Sequence, residues 1–220
     1  MIRFFSLAII ALGLLTLAFF SFNSKSYAVQ GTLETKGHDL MDKKPEGYPI
    51  ATLAGGCFWC LESEFRDLEG VLFTRVGYIG GATDNPTYED ITTGNTGHAE
   101  ATEITYDPKK ISYTQLIEHF LTKAHDPTQI NRQGVDVGTQ YRSAIFYHDE
   151  EQKKIAENMI AKVNGLKIYP QKIATQVQPA SKFWEAENYH QQYYQKYEKK
   201  NGKVHPRVFF KKKLKQLKGG

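Results

Sequence analysis

The order of hydrophobic patterns between residues 50 and 147 most narrows the folds open to this chain. Apolar runs alternate with segments whose apolar residues recur every three or four positions, the spacings of buried strands and of amphipathic helices. In order they predict a strand at 50–54, a helix at 57–68, strands at 71–79 and 99–106, a helix at 112–123 and a strand at 143–147. This order indicates a split βαβ, or ferredoxin-like, core in an α+β two-layer sandwich.

Further elements are expected around this core. The charged amphipathic pattern of residues 149–163 predicts an extra helix, and residues 173–178 predict an extra strand. A short helix at 87–93 is expected to begin after Pro86, because proline fits the first turn of a helix. The C-terminal segment is rich in aromatic residues and is predicted to be long and irregular, with a helix at 188–199.

The first 28 residues have the composition of an export signal. A basic start at Arg3 precedes the apolar run 4–22, and small residues lead to an expected cleavage site after Ala28. An uncleaved membrane anchor formed by residues 4–22 is the alternative, because that run approaches the roughly 20 residues that span a bilayer. Both interpretations place the rest of the chain outside the cytoplasm, in the periplasm or the extracellular space.

Composition changes mark the remaining boundaries. Residues 29–47 are polar and rich in glycine and predict a linker, residues 48–198 one domain, and residues 199–220 a basic tail. Removal of residues 1–28 takes away two basic side chains and no acid, so the net charge falls from +4 to +2. The lysine-rich tail lacks aromatic or glycine patterning, so a solvated tail is expected and no nucleic-acid binding is predicted.

The chain has two cysteines, and both lie in the sequence Gly55-Gly56-Cys57-Phe58-Trp59-Cys60 at the start of the first predicted helix. A structural disulfide closing so short a loop would constrain the unfolded chain little, and a zinc site needs four ligands. A thiol at a helix start meets unpaired N–H groups and the positive end of the helix dipole, which favour the thiolate. Cys57 is therefore the predicted nucleophile, with Cys60 as the resolving thiol and a static clip as the alternative.

The chain resembles the A-type peptide methionine sulfoxide reductases over about residues 50–198. Five motifs occur in the family's order: Gly56-Cys57-Phe58-Trp59, Asn85-Pro86-Thr87-Tyr88, Gly97-His98-Ala99-Glu100, Gly134-Val135-Asp136-Val137-Gly138-Thr139-Gln140-Tyr141-Arg142 and Ala186-Glu187-Asn188-Tyr189-His190-Gln191-Gln192. The resemblance implies that residues 48–198 are a catalytic domain that reduces methionine-S-sulfoxide, a product of oxidative damage to proteins.

The resemblance also implies roles for the candidate site residues. Cys57 would attack the sulfoxide sulfur while Glu100 protonates the oxygen, so burial should raise the pKa of Glu100. The other implied roles are hydrogen bonds to the oxygen from Tyr88 and Tyr141, assistance through water from Asp136, and a methyl pocket formed by Phe58 and Trp59. Structural roles are expected for His98, His125 and His190, and Tyr189 is expected to close the pocket.

The resemblance further implies a catalytic cycle without a metal or organic cofactor. Cys57 would become a sulfenic acid, Cys60 would condense with it to a disulfide, and a thioredoxin-like partner would reduce that disulfide. Many family members have glycine at the position of Cys60 and recycle through cysteines in a C-terminal tail, but this tail has none. Cys60 is thus the expected resolver. The expected protein is a monomer whose substrates are oxidised proteins, and it contacts a membrane only if residues 4–22 remain attached.

Two other functions fit the cysteine pair alone. A thiol-disulfide oxidoreductase would use the pair on other proteins without needing an acid such as Glu100. An exported binding module would use the cysteines as a clip and the aromatic C-terminal segment to dock a partner. Neither alternative predicts reduction of a sulfoxide.

Overall fold

The computed structural model describes residues 43–207. The predicted signal or anchor at 1–28, most of the predicted linker at 29–47 and the lysines beyond residue 207 lie outside the described residues. Across residues 43–207, no helix combines the length and the apolar character needed to cross a membrane.

Eight strands and five α-helices make up the described chain. The strands are β1 Ile50–Gly55, β2 Val71–Ile79, β3 Ala99–Tyr106, β4 Arg132–Gln133, β5 Asp136–Val137, β6 Ser143–Tyr147, β7 Gln176–Pro179 and β8 Trp184–Glu185. The helices are α1 Phe58–Arg66, α2 Tyr88–Thr92, α3 Tyr113–His119, α4 Glu150–Gly165 and α5 Tyr193–Asn201. A π-helical turn, Phe120–Ala124, continues α3, and a 3-10 turn spans Thr139–Tyr141.

The sheet confirms the predicted split βαβ core. Six strands pair in the order β7-β6-β1-β3-β2-β8. Within it β6, β1, β3 and β2 are antiparallel neighbours, so β3 lies between the two strands that α1 connects. The extra helix α4 leads to β7, which pairs parallel to β6 as a helical crossover allows.

The two faces of the sheet are covered differently. Alternate residues of the strands, such as Leu53 and Ile145, pack against α1, α3 and α4 in the main core. Residues of the opposite parity, including Ala99 and Phe146, pack in a smaller cluster with Ala180 and Phe183 of the C-terminal segment. The period of two along each strand therefore divides the core between a helical layer and a covering segment.

Several predicted boundaries differ from the structure. Helix α2 begins at Tyr88, and Thr87 is its N-cap: the Thr87 hydroxyl accepts from the Asp90 N–H at 3.3 Å while the Asp90 carboxylate accepts from the Thr87 N–H at 2.9 Å. Strand β7 begins at Gln176 and not at residue 173, because the N–H of Ile173 donates to Asn164 Oδ1 and not to a neighbouring strand. Helix α5 starts at Tyr193 and not at residue 188.

The shortest strands escaped sequence analysis. Hairpin β4–β5 and strand β8 have two residues each, too few to show an alternating pattern. The hairpin lies between the predicted helix at 112–123 and the predicted strand at 143–147, and it carries Asp136.

Candidate active site

Gly56 determines how Cys57 enters helix α1. Its φ is +90°, in the region that favours glycine, and a Cβ there would meet the Gln133 side chain at 2.5 Å. The chain can therefore turn sharply from β1 into α1. Cys57 is the N-cap residue of that helix, and its carbonyl accepts from the N–H of Cys60 at 3.1 Å and of Leu61 at 3.2 Å.

Glu100 lies over the start of α1. Its carboxyl is 2% exposed, and Oε2 accepts from the N–H of Phe58 at 3.0 Å. Burial raises the pKa of Glu100 to about 8, against the opposing effect of the Phe58 N–H, and the charge of Asp136 adds to the rise. The direction is the one expected from the sequence, and it leaves Glu100 mostly protonated at neutral pH.

The Cys57 thiol does not have the lowered pKa that its place at a helix start predicts. Its pKa is raised, first by the hydrogen bond with the Cys60 thiol, then by burial and by the charges of Cys60 and Glu100. The Cys60 N–H at the helix start lowers the pKa of Cys57, but the Cys60 thiol and burial outweigh this effect, and the Phe58 N–H is taken by Glu100. No disulfide joins the two cysteines, and Cys57 is buried while Cys60 is partly exposed.

A cavity of about 120 Å³ opens beside Cys57. It is lined by Cys57, Phe58, Trp59, Tyr88, Glu100, Asp136, Tyr141 and Arg207. All the predicted site residues except Cys60 therefore meet at one cavity. Tyr189, which was expected to close it, is 58% exposed and is not part of the lining.

Two aromatic side chains form the apolar wall, and their orientation is fixed. The indole N–H of Trp59 donates to Nδ1 of His190 at 3.1 Å, and Tyr193 stacks on the indole with ring centres 3.9 Å apart. Phe58 is 1% exposed and lies 5.1 Å from the His190 ring. His190 thus orients the wall, which is the structural role predicted for it.

The two phenols retain their protons. Burial, followed by the charge of Glu100, raises the pKa of both Tyr88 and Tyr141. Tyr88 is positioned by its backbone N–H, which donates to Glu187 Oε1 at 2.9 Å, while Tyr78 donates its hydroxyl to Oε2 at 2.8 Å. Glu187 lies in one of the five motifs, but its role in positioning Tyr88 was not predicted from the sequence.

Arg207 is a site residue that sequence analysis missed. Its Nη2 donates to Asp136 Oδ2 at 2.6 Å, and the guanidinium lines the cavity. Residues 199–220 were predicted to be a solvated tail, but the described part of that segment reaches the site. The available signal was that Arg207 is the single arginine among the lysines of this segment.

The other two histidines lie away from the cavity. His98 accepts from the Gly81 N–H at 3.1 Å and bonds the Thr83 carbonyl at 2.7 Å, whereas His125 bridges the Phe120 carbonyl and the Ser143 hydroxyl. Both are structural, as predicted. Among residues 43–207 no three histidine, cysteine or carboxylate side chains converge as ligands of a metal would.

Known proteins resemble this chain over most of its length. The family model for peptide methionine sulfoxide reductase matches residues 49–219. Curated relatives named peptide methionine sulfoxide reductase MsrA include one from Saccharolobus solfataricus, 52% identical over 67% of this chain and 82% of its own. Another, from Acidobacterium capsulatum, is 53% identical over 66% of this chain and 93% of its own.

Solved structures agree with the sequence relatives. Reduced Mxr1 from Saccharomyces cerevisiae superposes with a TM-score of 0.65 at 34% identity, covering 74% of this chain and 91% of that one. Methionine sulfoxide reductase A of Corynebacterium diphtheriae gives 0.61 at 34% identity, covering 79% of this chain and 84% of that one.

Replacement of Gly56 by alanine should displace the hairpin that carries Asp136. The new Cβ would press on Gln133, which β4–β5 pairing places opposite Asp136. We expect kcat/KM for sulfoxide reduction to fall by about 100-fold, the cost of a displacement near 1 Å. Gly134→Ala is the matched control, since Gly134 also has a positive φ, +62°, but nothing lies within 4 Å of its Cβ position. Equal kcat/KM in the two variants would contradict the clash.

Proposed function

This chain belongs to the peptide methionine sulfoxide reductase family, and we propose that it reduces methionine-S-sulfoxide, in proteins and as the free amino acid, by nucleophilic attack of Cys57. One observation carries this proposal: a buried carboxyl, whose pKa is raised, and a buried thiol face the same small cavity. As a member of this family the chain is an oxidoreductase. A sulfoxide needs both the carboxyl and the thiol, because its oxygen leaves badly unless it is protonated.

The cavity lining supports binding of a methyl sulfoxide. Phe58 and Trp59 offer an apolar wall for the methyl group, and the hydroxyls of Tyr88 and Tyr141 can donate to the sulfoxide oxygen. The apolar wall sets the position of the methyl group, and the hydroxyl donors set that of the oxygen. One epimer of the sulfoxide then presents its sulfur to Cys57. This geometry favours selectivity for a single epimer.

In the proposed first step, the sulfur of Cys57 attacks the sulfoxide sulfur and Glu100 gives its proton to the oxygen. The thiol proton of Cys57 passes to the Glu100 carboxylate, so the acid is restored. The S–O bond of the substrate breaks, methionine leaves reduced by two electrons, and Cys57 carries the hydroxyl as a sulfenic acid. Cys57 is a thiol before it reacts, so its proton must leave as the sulfur attacks. The protonation state of Glu100 controls both this proton transfer and the transfer to the sulfoxide oxygen.

Asp136 has an accessory role in this proposal. Its ion pair with Arg207 holds the carboxylate at the cavity, where it can order a water beside the substrate oxygen. Its charge also contributes to the raised pKa of Glu100.

The second step makes a disulfide between Cys57 and Cys60. The two residues are three positions apart at the start of one helix, and their thiols are hydrogen-bonded. A thioredoxin-like dithiol would then reduce the disulfide by thiol exchange. If the N-terminal segment directs export, as we propose, the electrons must be supplied across the membrane, and the cellular role is repair of oxidised proteins outside the cytoplasm.

A general thiol-disulfide oxidoreductase is the rival function. Such an enzyme has no use for Glu100, whose burial as a carboxyl costs free energy that a surface site would avoid. The cavity of about 120 Å³ accommodates a small side chain rather than a protein disulfide.

Replacement of each cysteine separates the two chemical steps. Reduced Cys60→Ser given excess methionine-S-sulfoxide should release about one methionine per chain and then stall with a thioredoxin-type donor, because no second thiol can resolve the sulfenic acid. Cys57→Ser should release none. Insulin reduction and the R-sulfoxide, assayed in parallel, should give no activity with the native chain. Continued turnover by Cys60→Ser with that donor would refute the resolver, and insulin reduction without sulfoxide reduction would favour the rival.

The pH dependence should report Glu100. Its pKa of about 8 in the folded chain lies above the ordinary value of about 4.3, so the proton is available below pH 8 and lost above it. The single-turnover rate of methionine formation should therefore fall as pH rises through about 8. Glu100→Gln should be about 100-fold to 10,000-fold slower and should lack this decline. An identical decline in Glu100→Gln would assign it to another group.

A further inference from the structure

Tyr194 contacts the sulfur of the resolving cysteine. Its hydroxyl lies 3.3 Å from Sγ of Cys60, and the side chain is 4% exposed. Tyr194 belongs to α5, more than 130 residues after Cys60, so the contact exists only because the C-terminal segment packs on α1. The proposed steps above do not use this hydroxyl.

Several contacts hold the Tyr194 ring in place. His205 stacks on it with ring centres 4.6 Å apart, and Trp59 meets it edge-on at 6.4 Å. The start of α5 is fixed by Glu62, a buried residue of α1 whose Oε2 accepts from the Gln192 N–H at 2.8 Å. The ring contacts would remain in phenylalanine, whereas the contact with Cys60 requires the hydroxyl.

The charges around Cys60 favour Tyr194 as the donor in this contact. Burial raises the pKa of Tyr194, and the charge and hydrogen bond of Cys60 raise it further, so the phenol keeps its proton. Among the described residues, Cys57, Glu100 and Arg207 also face Cys60. Arg207 carries a positive charge, so Tyr194 and Arg207 can both stabilise a Cys60 thiolate.

We propose, building on the function proposed above, that Tyr194 is a catalytic residue of the disulfide-forming step. Its hydroxyl holds Cys60 Sγ and donates a hydrogen bond to the thiolate as that sulfur attacks the sulfenic acid of Cys57. The S–S bond forms and the S–O bond of Cys57 breaks. The hydroxyl leaves with the proton that Cys60 released, as water, and the two-electron oxidation of the pair is complete.

Competition for the sulfenic acid tests this role apart from the first step. Reduced protein is mixed with excess methionine-S-sulfoxide and a fixed concentration of dimedone, which adds to sulfenic acids, and mass spectrometry gives the ratio of Cys57 adduct to Cys57–Cys60 disulfide. We expect this ratio to rise about tenfold in Tyr194→Phe, the effect of losing a hydrogen bond to a charged sulfur. Tyr197→Phe is the matched control: it removes the same atom from α5, and its ring meets His205 instead of a cysteine.

The pH dependence of the ratio of adduct to disulfide distinguishes stabilisation of the Cys60 thiolate from looser packing around residue 194. As Cys60 ionises with rising pH, the disulfide should gain on the adduct, and the midpoint of that change should lie higher in Tyr194→Phe than in Tyr197→Phe. An unchanged ratio in Tyr194→Phe, or a higher ratio with no shift of the midpoint, would overturn the proposal. Absence of any Cys57 adduct in Cys60→Ser treated in the same way would instead refute the sulfenic acid of the proposed function.

Discussion

The hydrogen bond from the Phe58 N–H to Glu100 is the contact on which the site depends. It joins the first turn of α1 to the central strand β3, across 42 positions of sequence. The split βαβ order makes the contact possible, because β3 is inserted beside β1, the strand that leads into α1. With Gly56 turning the chain between them, the nucleophile and the carboxyl come to face the same cavity.

This contact also explains why the two ionisable groups have unusual states. Glu100 occupies the Phe58 N–H at the start of the helix, so this donor is not available to a Cys57 thiolate. Burial then keeps the carboxyl protonated and the thiol neutral, so the resting site holds its acid and its nucleophile without net charge. A neutral sulfoxide can therefore enter without displacing an ion pair between them.

The core of the fold was accessible from sequence because its signals are local. The bounds of β2, β3 and β6 follow from apolar runs and their flanking turns, and Ser112 and Gln115 form a capping box at the predicted start of α3. Most site residues came from motif resemblance, since no local pattern distinguishes Glu100 from a surface carboxylate.

The features that sequence analysis missed arise from contacts between distant segments. The raised pKa of Cys57 depends on the Cys60 thiol, on burial and on Glu100, none of which enters a helix-dipole argument. Tyr194 and Arg207 reach the cysteines because the chain after β8 folds back over α1.

Glu100 is expected to be a protonated acid at neutral pH, and carbon-13 NMR of protein labelled at the glutamate carboxyl carbons measures its protonation state. The resonance absent from Glu100→Gln identifies the residue. We expect a titration midpoint near pH 8 for that carboxyl. A midpoint between about 4 and 5, the range of an ordinary glutamate, would contradict it.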